Sequence, residues 1–454
     1  PHGERISYLA PWEGVLNVWV QTIGQDDAQP VTTASERPIR SYFWAWNGEQ
    51  IVYAQDRGGD ENFRLYAVDL DTREETELTP YEQIQARVLG SDREHPDELL
   101  VAINNRMPQL HDVWKINLRT GEKEMVYENT DGYVGFVPDS NLDVRVATRF
   151  RPDGGITVYT RDTADGGWYE LVRWDMEDTG SSGPVGISRD GQTIYLRDAR
   201  QSDTAGLYKY DLSGGEDGEG SYEQVAIDER ADASDIVVDP RTGHPQAVGF
   251  EYARMEWQFL DPELREDWTY LQSISRGELS IVDRDKADDT WIVAFMRDDG
   301  PVDYYLYERG GDERDHQYLF SNRPALKDLP LAQMAPVIIK SRDGLNLVSY
   351  LTTPVGVEAK DLPMVLLVHG GPWARDSWGY NSIHQWLANR GYAVLSVNFR
   401  GSTGFGKAFL NAGNREWAGK MHDDLIDAVN WAVEEGVADP DEVAIMGGSY
   451  GGYA

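Results

Sequence analysis

The residue with the clearest potential for covalent chemistry is Ser449, which lies within the sequence Gly447-Gly448-Ser449-Tyr450-Gly451. This stretch fits the pattern G-x-S-x-G and directly follows the apolar run VAIM, which is typical of a buried strand. A serine at such a strand-to-helix corner adopts a strained backbone conformation that projects its hydroxyl group outward. Glycine at positions 447 and 451 avoids a collision across the bend. We therefore predict that Ser449 is a nucleophile.

A second motif, HGGP at residues 369–372, follows the apolar run MVLLV. Its glycines, Gly370 and Gly371, allow the backbone to approach a substrate carbonyl group and to donate a hydrogen bond from an N–H group. Together with the N–H group of Tyr450, such a donor forms an oxyanion hole, which stabilises the charge that develops on the carbonyl oxygen. We predict that His369 supports this loop by a hydrogen bond and is not the general base, because in α/β-hydrolases the base follows the nucleophile in the chain.

Continuous apolar runs, typical of parallel strands buried on both faces, lead into both motifs. They span residues 364–370, 392–399 and 443–449. Amphipathic segments between them predict helices, the first of which would place Ile383, Trp386 and Leu387 on one face. This alternation of strands and helices is typical of a doubly wound α/β layout. We assign residues 337–454 to the N-terminal part of an α/β-hydrolase domain.

The preceding part of the chain contains an internal repeat. A short strand-like segment with a central aromatic residue recurs at intervals of 45 to 50 residues, and another strand-like run precedes each copy. Several short alternating strands in a unit of this length are typical of a β-propeller blade. We predict a seven-bladed β-propeller over residues 1–325 and a linker over residues 326–336. The repeated aromatic residues, which we expect to pack between blades, are Trp19, Tyr66, Trp114, Tyr159, Tyr208, Trp257 and Tyr307.

The chain is strongly acidic, with 78 aspartates and glutamates against 42 lysines and arginines and a formal net charge of −36. The carboxylates are spread along the sequence, which favours a surface adaptation like that of proteins from salt-loving organisms. A basic ligand or partner is the alternative interpretation. Nucleic acid is not expected as a partner, because its phosphates would meet no basic face. The apolar runs are too short to cross a bilayer, so no membrane partner is predicted.

The acidic surface predicts that the thermal stability of the protein increases with salt. Repulsion among the carboxylates is screened as the Debye length shortens from about 10 Å at 0.1 M to about 3 Å at 1 M salt. We expect the melting temperature, measured by calorimetry, to rise between these two concentrations. A melting temperature that stays constant or falls over this range would contradict the interpretation.

Cysteine is absent, which excludes disulfide bonds and thiolate metal sites and is consistent with a reducing cytoplasm. No signal peptide is evident at the first residues, PHGERISYLA. Because this segment already has the pattern of a blade strand, we expect the natural chain to begin upstream. From the absence of cysteine, we predict a cytoplasmic location. No cofactor or metal ion is predicted. The acidic, glycine-rich residues 211–223 could be interpreted as a calcium loop, but their carboxylate spacing favours a solvated turn.

The propeller, the linker and the two motifs together resemble the prolyl oligopeptidase family of serine peptidases. The resemblance covers nearly the whole chain and is most specific in HGGPWARDSWGY, NFRGSTGFGKAF and GGSYGGYA. The chain is similar to the acylaminoacyl peptidase and oligopeptidase branch, because HGGPW lacks the tyrosine that the dipeptidyl peptidase branch usually presents there. The resemblance implies hydrolysis of short peptides through an acyl-enzyme on Ser449, with the N–H groups of Tyr450 and Gly371 in the oxyanion hole.

The resemblance also implies that the propeller restricts access to small or unfolded peptides. The family's Asp and His follow its serine, so we expect this chain to be a fragment that is C-terminally incomplete and inactive alone. Without the missing elements, the strand before Ser449 would have an unpaired edge. Two other interpretations remain open: an esterase or other acyl hydrolase with the same motif, and a non-catalytic propeller binding module. Nothing in the sequence specifies the oligomeric state or the residue preference.

Overall fold

The structure, a computed structural model, describes residues 1–213, 220–310 and 314–454. Within these residues, seven antiparallel sheets of three or four strands form the blades of a β-propeller, and a mixed five-stranded sheet follows them. This architecture confirms the predicted seven-bladed propeller followed by an α/β-hydrolase fold. Part of the possible calcium loop, residues 214–219, lies outside the described residues.

Each blade is built from short strands that are consecutive in the chain and pair antiparallel. The strands of blades one to three are β1 (Arg5–Trp12), β2 (Val15–Thr22), β3 (Gln29–Pro30), β4 (Ser41–Trp44), β5 (Gln50–Gln55), β6 (Arg64–Asp69), β7 (Glu75–Glu77), β8 (Ala86–Asp92), β9 (His95–Met107), β10 (Leu110–Asn117) and β11 (Lys123–Tyr127). The strands of blades four and five are β12 (Gly135–Pro138), β13 (Val144–Phe150), β14 (Ile156–Thr160), β15 (Tyr169–Trp174), β16 (Gly183–Ile187), β17 (Thr193–Asp198), β18 (Gly206–Asp211) and β19 (Ser221–Ala226). Those of blades six and seven are β20 (Ala233–Val238), β21 (Pro245–Glu251), β22 (Met255–Phe259), β23 (Glu278–Arg284), β24 (Thr290–Met296), β25 (Asp303–Glu308) and β26 (Asp315–Ser321).

The repeated aromatic residues all lie in strands, one in each blade, namely β2, β6, β10, β14, β18, β22 and β25. Tyr208 and Tyr307 are fully buried, and Tyr66 stacks on Tyr53 with the ring centroids 5.2 Å apart. The apolar clusters join neighbouring blades, as where Val52 of blade two packs in one cluster with Leu99 of blade three. Alternation of side chains along each strand therefore supplies two apolar faces, which adjacent blades bury against each other.

Blade six differs from the repeat pattern, because helix α1 (Pro262–Gln272) follows its three strands. The Asp261 side chain caps the helix by accepting a hydrogen bond from a backbone N–H group of the first turn. Pro262 suits the first helical position, since its fixed φ is helical and its missing N–H group would have had no partner there. The buried Trp268 packs against Trp257 with the ring centroids 4.8 Å apart, and it shares an apolar cluster with Trp291 of blade seven.

The second sheet carries both sequence motifs at the ends of its strands. Strand order is β27-β28-β30-β29-β31, in which β29, β30 and β31 run parallel and β27 and β28 are antiparallel. Strand β31 lies at the edge of the sheet, with Ile445 53% and Met446 39% exposed, which matches the unpaired edge expected for the strand before Ser449. The strands are β27 (Met334–Lys340), β28 (Asn346–Thr352), β29 (Leu362–Val368), β30 (Ala393–Val397) and β31 (Ala438–Gly447).

Helices cover this sheet. The connection from the propeller to the sheet contains a 3-10 helix (Pro324–Leu326). In the described parts of the chain, no helix is both long enough and apolar enough to cross a membrane. The helix before the last strand buries Met421 and Leu425 against the sheet. The α-helices of this domain are α2 (Ser382–Ala388), α3 (Lys407–Asn411), α4 (Lys420–Glu434) and α5 (Tyr450–Tyr453).

Helix α2 presents only part of its predicted apolar face to the core. Leu387 is buried, whereas Ile383 is 36% exposed and Trp386 is 50% exposed. The buried face also carries His384, whose ring nitrogens lie 2.9 Å from Thr352 Oγ1 and 2.8 Å from Ser396 Oγ. Burial lowers the pKa of His384 to about 4, so the imidazole is neutral near pH 7 and hydrogen-bonded at both nitrogens. Two hydroxyl groups of the sheet thus allow a polar side chain to occupy the core position.

Turns of the propeller contact the α/β domain through polar groups. Lys407 Nζ donates hydrogen bonds to Asp178 Oδ1 and to the carbonyl oxygen of Ala199, each at 2.8 Å. The Tyr350 hydroxyl group donates to the carbonyl oxygen of Ala253 at 3.1 Å. The propeller therefore packs against the same domain that carries Ser449.

Candidate active site

Ser449 lies in a sharp turn between strand β31, which ends at Gly447, and helix α5, which begins at Tyr450. Its φ is 53° and its ψ is −119°, a combination that costs a residue with a side chain of the order of 1–3 kcal/mol. Strand β31 pairs in parallel with β29, and Gly447 is opposite Val368. The serine is therefore presented at the carboxyl end of a parallel strand in a strained conformation, which is the geometry of a nucleophile elbow.

The glycines around Ser449 fall into two groups according to the space around them. A Cβ atom at Gly447 would lie 2.5 Å from the carbonyl carbon of Gly451. A Cβ atom at Gly451 would lie 2.0 Å from the carbonyl oxygen of Val368. At Gly448, by contrast, no atom lies within 4 Å of the added Cβ atom. The turn thus requires glycine at the two positions that the motif specifies and tolerates a side chain at the third.

The residues after β29, 369–376, form a loop that contacts the serine; we call them the HGGP loop. A Cβ atom added to Gly370 would lie 3.2 Å from Ser449 Cβ and 3.8 Å from Ser449 Oγ. Gly371 has a φ of 123°, which favours glycine, and an added Cβ atom would lie 2.7 Å from the backbone nitrogen of Trp373. Close packing therefore brings the glycine backbone of the loop next to the hydroxyl group of Ser449.

His369 is held within the HGGP loop at both ring nitrogens. Its Nδ1 donates to the carbonyl oxygen of Gly370 at 2.7 Å, and its Nε2 lies 3.0 Å from Ser402 Oγ. The imidazole also stacks on Phe399 with the ring centroids 4.5 Å apart. Burial lowers the pKa of His369, so its neutral form prevails near pH 7. Both ring nitrogens therefore contact Gly370 and Ser402, and neither contacts Ser449.

Aromatic packing fixes the backbone of Tyr450, whose N–H group the sequence assigns to the oxyanion hole. The Tyr450 side chain is only 5% exposed. Its ring lies 5.3 Å from Phe399, 5.0 Å from Trp417 and 5.9 Å from Tyr453 between centroids. Phe399 therefore contacts both His369 and Tyr450, and it links the HGGP loop to the elbow.

The partly buried His369 and the fully buried His384 are both engaged away from Ser449. Across the described ranges, no group of three or more histidines, aspartates or glutamates is arranged to hold a metal ion. The site therefore consists of a strained serine, the HGGP loop beside it and an aromatic support.

Asp376, at the end of the HGGP loop, is a buried carboxyl group that the sequence did not single out. Its backbone N–H group donates to Asn398 Oδ1 at 2.8 Å, and Asn398 Nδ2 donates to its carbonyl oxygen at 3.0 Å. Its Oδ2 atom is buried, and no hydrogen-bond partner for it occurs among the described residues. Burial raises the pKa of Asp376 to about 7, although the charge of Arg375 opposes this shift.

The raised pKa predicts that Asp376→Asn stabilises the protein at alkaline pH. The folded state holds the proton up to about pH 7, whereas the unfolded chain releases it near pH 3.8. Asp376 therefore reduces stability progressively as the pH rises through this interval. We expect the melting temperature of Asp376→Asn to exceed that of the wild type by about 2–4 °C at pH 8 and to match it at pH 4.

Asp343→Asn provides the matched control, because hydrogen bonds from Arg400 hold the pKa of Asp343 below its ordinary value. That substitution should lower the melting temperature at pH 8, and the loss should diminish as the pH falls through the depressed pKa. A melting temperature of Asp376→Asn below that of the wild type at pH 8 would contradict the assignment of a penalised buried carboxylate.

Comparison with protein families and curated proteins identifies proteins that this chain resembles. The profile of the "Prolyl oligopeptidase family" matches residues 378–454. The chain is 47% identical over 462 residues to dipeptidyl aminopeptidase BIII of Pseudoxanthomonas mexicana, covering 100% of this chain and 66% of that protein. It is 32% identical to dipeptidyl peptidase family member 6 of Caenorhabditis elegans, covering 100% of this chain and 65% of that protein. The chain thus spans about two thirds of the length of these relatives.

Solved structures share the fold at lower sequence identity. A structure from a study of two prolyl endopeptidases superposes on 100% of this chain and 68% of its own, with a TM-score of 0.73 and 16% identity. A puromycin-hydrolysing peptidase of Mycobacterium tuberculosis gives a TM-score of 0.72 at 19% identity, covering 100% of this chain and 73% of that one. An acylaminoacyl peptidase of Pyrococcus horikoshii gives 0.61 at 17%, with the same coverage.

Proposed function

Because the chain belongs to the prolyl oligopeptidase family of serine peptidases, we propose that it forms the propeller and the nucleophile-bearing part of an enzyme that hydrolyses short peptides. The observation that carries the proposal is the strained conformation of Ser449 against the backbone of Gly370. A hydroxyl group held there attacks a carbonyl group whose oxygen points into the HGGP loop. The peptide C–N bond breaks as the leaving amine takes up the proton lost by the serine, and water then hydrolyses the acyl-enzyme to the free acid and restores the hydroxyl group.

In the proposed reaction, the N–H groups of Gly371 and Tyr450 bind the oxyanion of the tetrahedral intermediate. The closeness of Gly370 to Ser449 and the aromatic packing of Tyr450 support this assignment. Gly447 and Gly451 keep the elbow compact, and His369 orients the loop. Fixed backbone donors need no reorganisation when the charge develops, which is why one such donor is typically worth a factor of about 10²–10³ in turnover.

We place the acid–base partners of Ser449, an Asp and a His, in the third of the relatives' length that this chain does not span. An unactivated serine is a poor nucleophile, so residues 1–454 alone are expected to hydrolyse no peptide. The division into a propeller at 1–325, a linker at 326–336 and a hydrolase part at 337–454 is likewise proposed; strand β27 begins at Met334, within that linker. A cytoplasmic location and a size-limiting role of the propeller complete the proposal.

The two relatives that align with the whole chain are a dipeptidyl aminopeptidase and a dipeptidyl peptidase family member. We therefore propose that the enzyme releases dipeptides from free N-termini. Release of acylated amino acids is the second candidate, because the HGGP motif favours that branch and an acylaminoacyl peptidase shares the fold.

A panel of substrates on the full-length protein separates these functions. Alanyl-alanine p-nitroanilide carries a free amino group, acetyl-alanine p-nitroanilide carries a blocked one, and p-nitrophenyl butyrate is a simple ester. We expect kcat/KM to be highest for the free dipeptide. Preference for the acetylated substrate would indicate the second candidate, turnover of the ester alone would indicate an esterase, and no turnover of any substrate would favour a binding module.

A further inference from the structure

The HGGP loop reaches the propeller through Arg375, four residues after Gly371. Its guanidinium group donates from Nη1 to the carbonyl oxygen of Glu251 at 2.6 Å and from Nη2 to the carbonyl oxygen of Tyr252 at 2.8 Å. Both acceptors lie at the turn between β21 and β22 of blade six. The fork of the guanidinium group thus matches two successive backbone carbonyl groups, a geometry that lysine cannot reproduce.

Residues of both domains surround the Arg375 side chain. The guanidinium carbon lies 4.3 Å from the centroid of the Phe405 ring, which belongs to the α/β domain. Its Nε atom lies 3.6 Å from Glu251 Oε2, and the Arg375 side chain is only 14% exposed. Gly404 leaves room for the side chain, since a Cβ atom there would lie 2.7 Å from Arg375 Nη1. This enclosure indicates that its neighbours hold the Arg375 side chain in one position, unlike an arginine on an open surface.

Hydrogen bonds on both sides of Arg375 attach the HGGP loop to its own domain. The carbonyl oxygen of Ala374 accepts a hydrogen bond from the Thr403 N–H group at 3.0 Å. Asp376 is held through its backbone by Asn398. Arg375 therefore lies between two backbone attachments of the short loop that includes Gly370 and Gly371, so a change in its position also affects these glycines.

We propose that Arg375 is a positioning residue that makes the oxyanion hole depend on contact between the hydrolase domain and blade six. While the guanidinium group binds the two carbonyl groups, the loop keeps the Gly371 N–H group at the oxyanion; when the domains separate at blade six, the loop loses this anchor. The inference rests on the proposed function of Ser449 and the HGGP loop. Its effect falls on transition-state stabilisation, and thus on kcat more than on KM.

The test compares Arg375→Met and Arg375→Lys with Lys407→Met in the full-length protein. Lys407 provides the matched control, because it joins the same two domains through Asp178 and Ala199 but does not contact the HGGP loop. We expect Arg375→Met to lower kcat by about 10- to 100-fold with little change in KM, since a small displacement of a catalytic group costs this much. Arg375→Lys should be intermediate, and Lys407→Met should stay within about 2-fold of the wild type in kcat.

Two further readouts make each outcome decisive. The rate constant for labelling by a serine-directed phosphonate, which also uses the oxyanion hole, should fall in parallel with kcat, while melting temperatures report any loss of folding. If Arg375→Met does not fold, Arg375→Lys decides the question alone. An unchanged kcat in the folded variants, or an equal loss in Lys407→Met, would overturn the inference. Failure of the wild type to turn over peptides or to be labelled would instead overturn the proposed function.

Discussion

Alanine at position 449 is expected to abolish peptide hydrolysis by the full-length protein, with kcat/KM reduced about 10⁴-fold or more. The Oγ atom is the only group of the strained turn that can form the acyl bond, and the HGGP loop packs against it. Removing a covalent nucleophile leaves only binding and the oxyanion donors, which catalyse weakly. Steady-state kinetics with a dipeptide anilide would measure the loss.

Two companion variants separate lost chemistry from lost structure. Ser382→Ala removes an exposed hydroxyl group at the start of helix α2, which Asn381 caps, so activity should remain at the wild-type level. Ser449→Gly should be as inactive as Ser449→Ala but should melt at a higher temperature than Ser449→Ala, because glycine adopts a φ of 53° and a ψ of −119° without strain. Residual turnover of Ser449→Ala within about 10-fold of the wild type would refute the nucleophile assignment.

Alanine at position 451 is expected to disrupt both the elbow and the HGGP loop. The added Cβ atom would lie 2.0 Å from the carbonyl oxygen of Val368 and 3.2 Å from that of His369. These atoms belong to the end of β29 and to backbone that cannot rotate aside, so the strand and the turn must move apart. We expect kcat to fall at least about 100-fold, because a displacement near 1 Å at a catalytic site has that cost.

Gly448→Ala is the matched control, since the space around that position is open. Its melting temperature should equal that of the wild type and its kcat should stay within about 3-fold, whereas Gly451→Ala should lose both stability and activity. Calorimetry and kinetics on the two variants side by side make the comparison. Equal behaviour of the two alanine variants would mean that the described packing of the turn is wrong.

Features that depend on short-range constraints were predictable from the sequence. The elbow is one, because the clash of a Cβ atom at Gly447 with the backbone of Gly451 arises within the bend itself. The propeller is another, since one aromatic strand recurs in every blade. The helix of blade six had a local signal as well, because Asp261-Pro262 combines a capping residue with a proline suited to the first helical turn.

Features that depend on distant partners were not predictable. Helix α2 buries His384 because hydroxyl groups from two strands, at Thr352 and Ser396, form hydrogen bonds with its ring nitrogens. The spacing of apolar residues along the helix does not indicate such partners. Likewise, Arg375 acquires its role only through carbonyl groups more than 120 positions earlier in the chain.

The most direct test of the central claim is covalent labelling of the full-length protein with a fluorophosphonate, followed by mass-spectrometric mapping of the modified peptide. We expect a single stoichiometric modification on Ser449, loss of peptidase activity in step with labelling, and no modification of Ser449→Ala. Labelling of another residue, or inhibition of turnover with Ser449 unmodified, would contradict the assignment of Ser449 as the nucleophile.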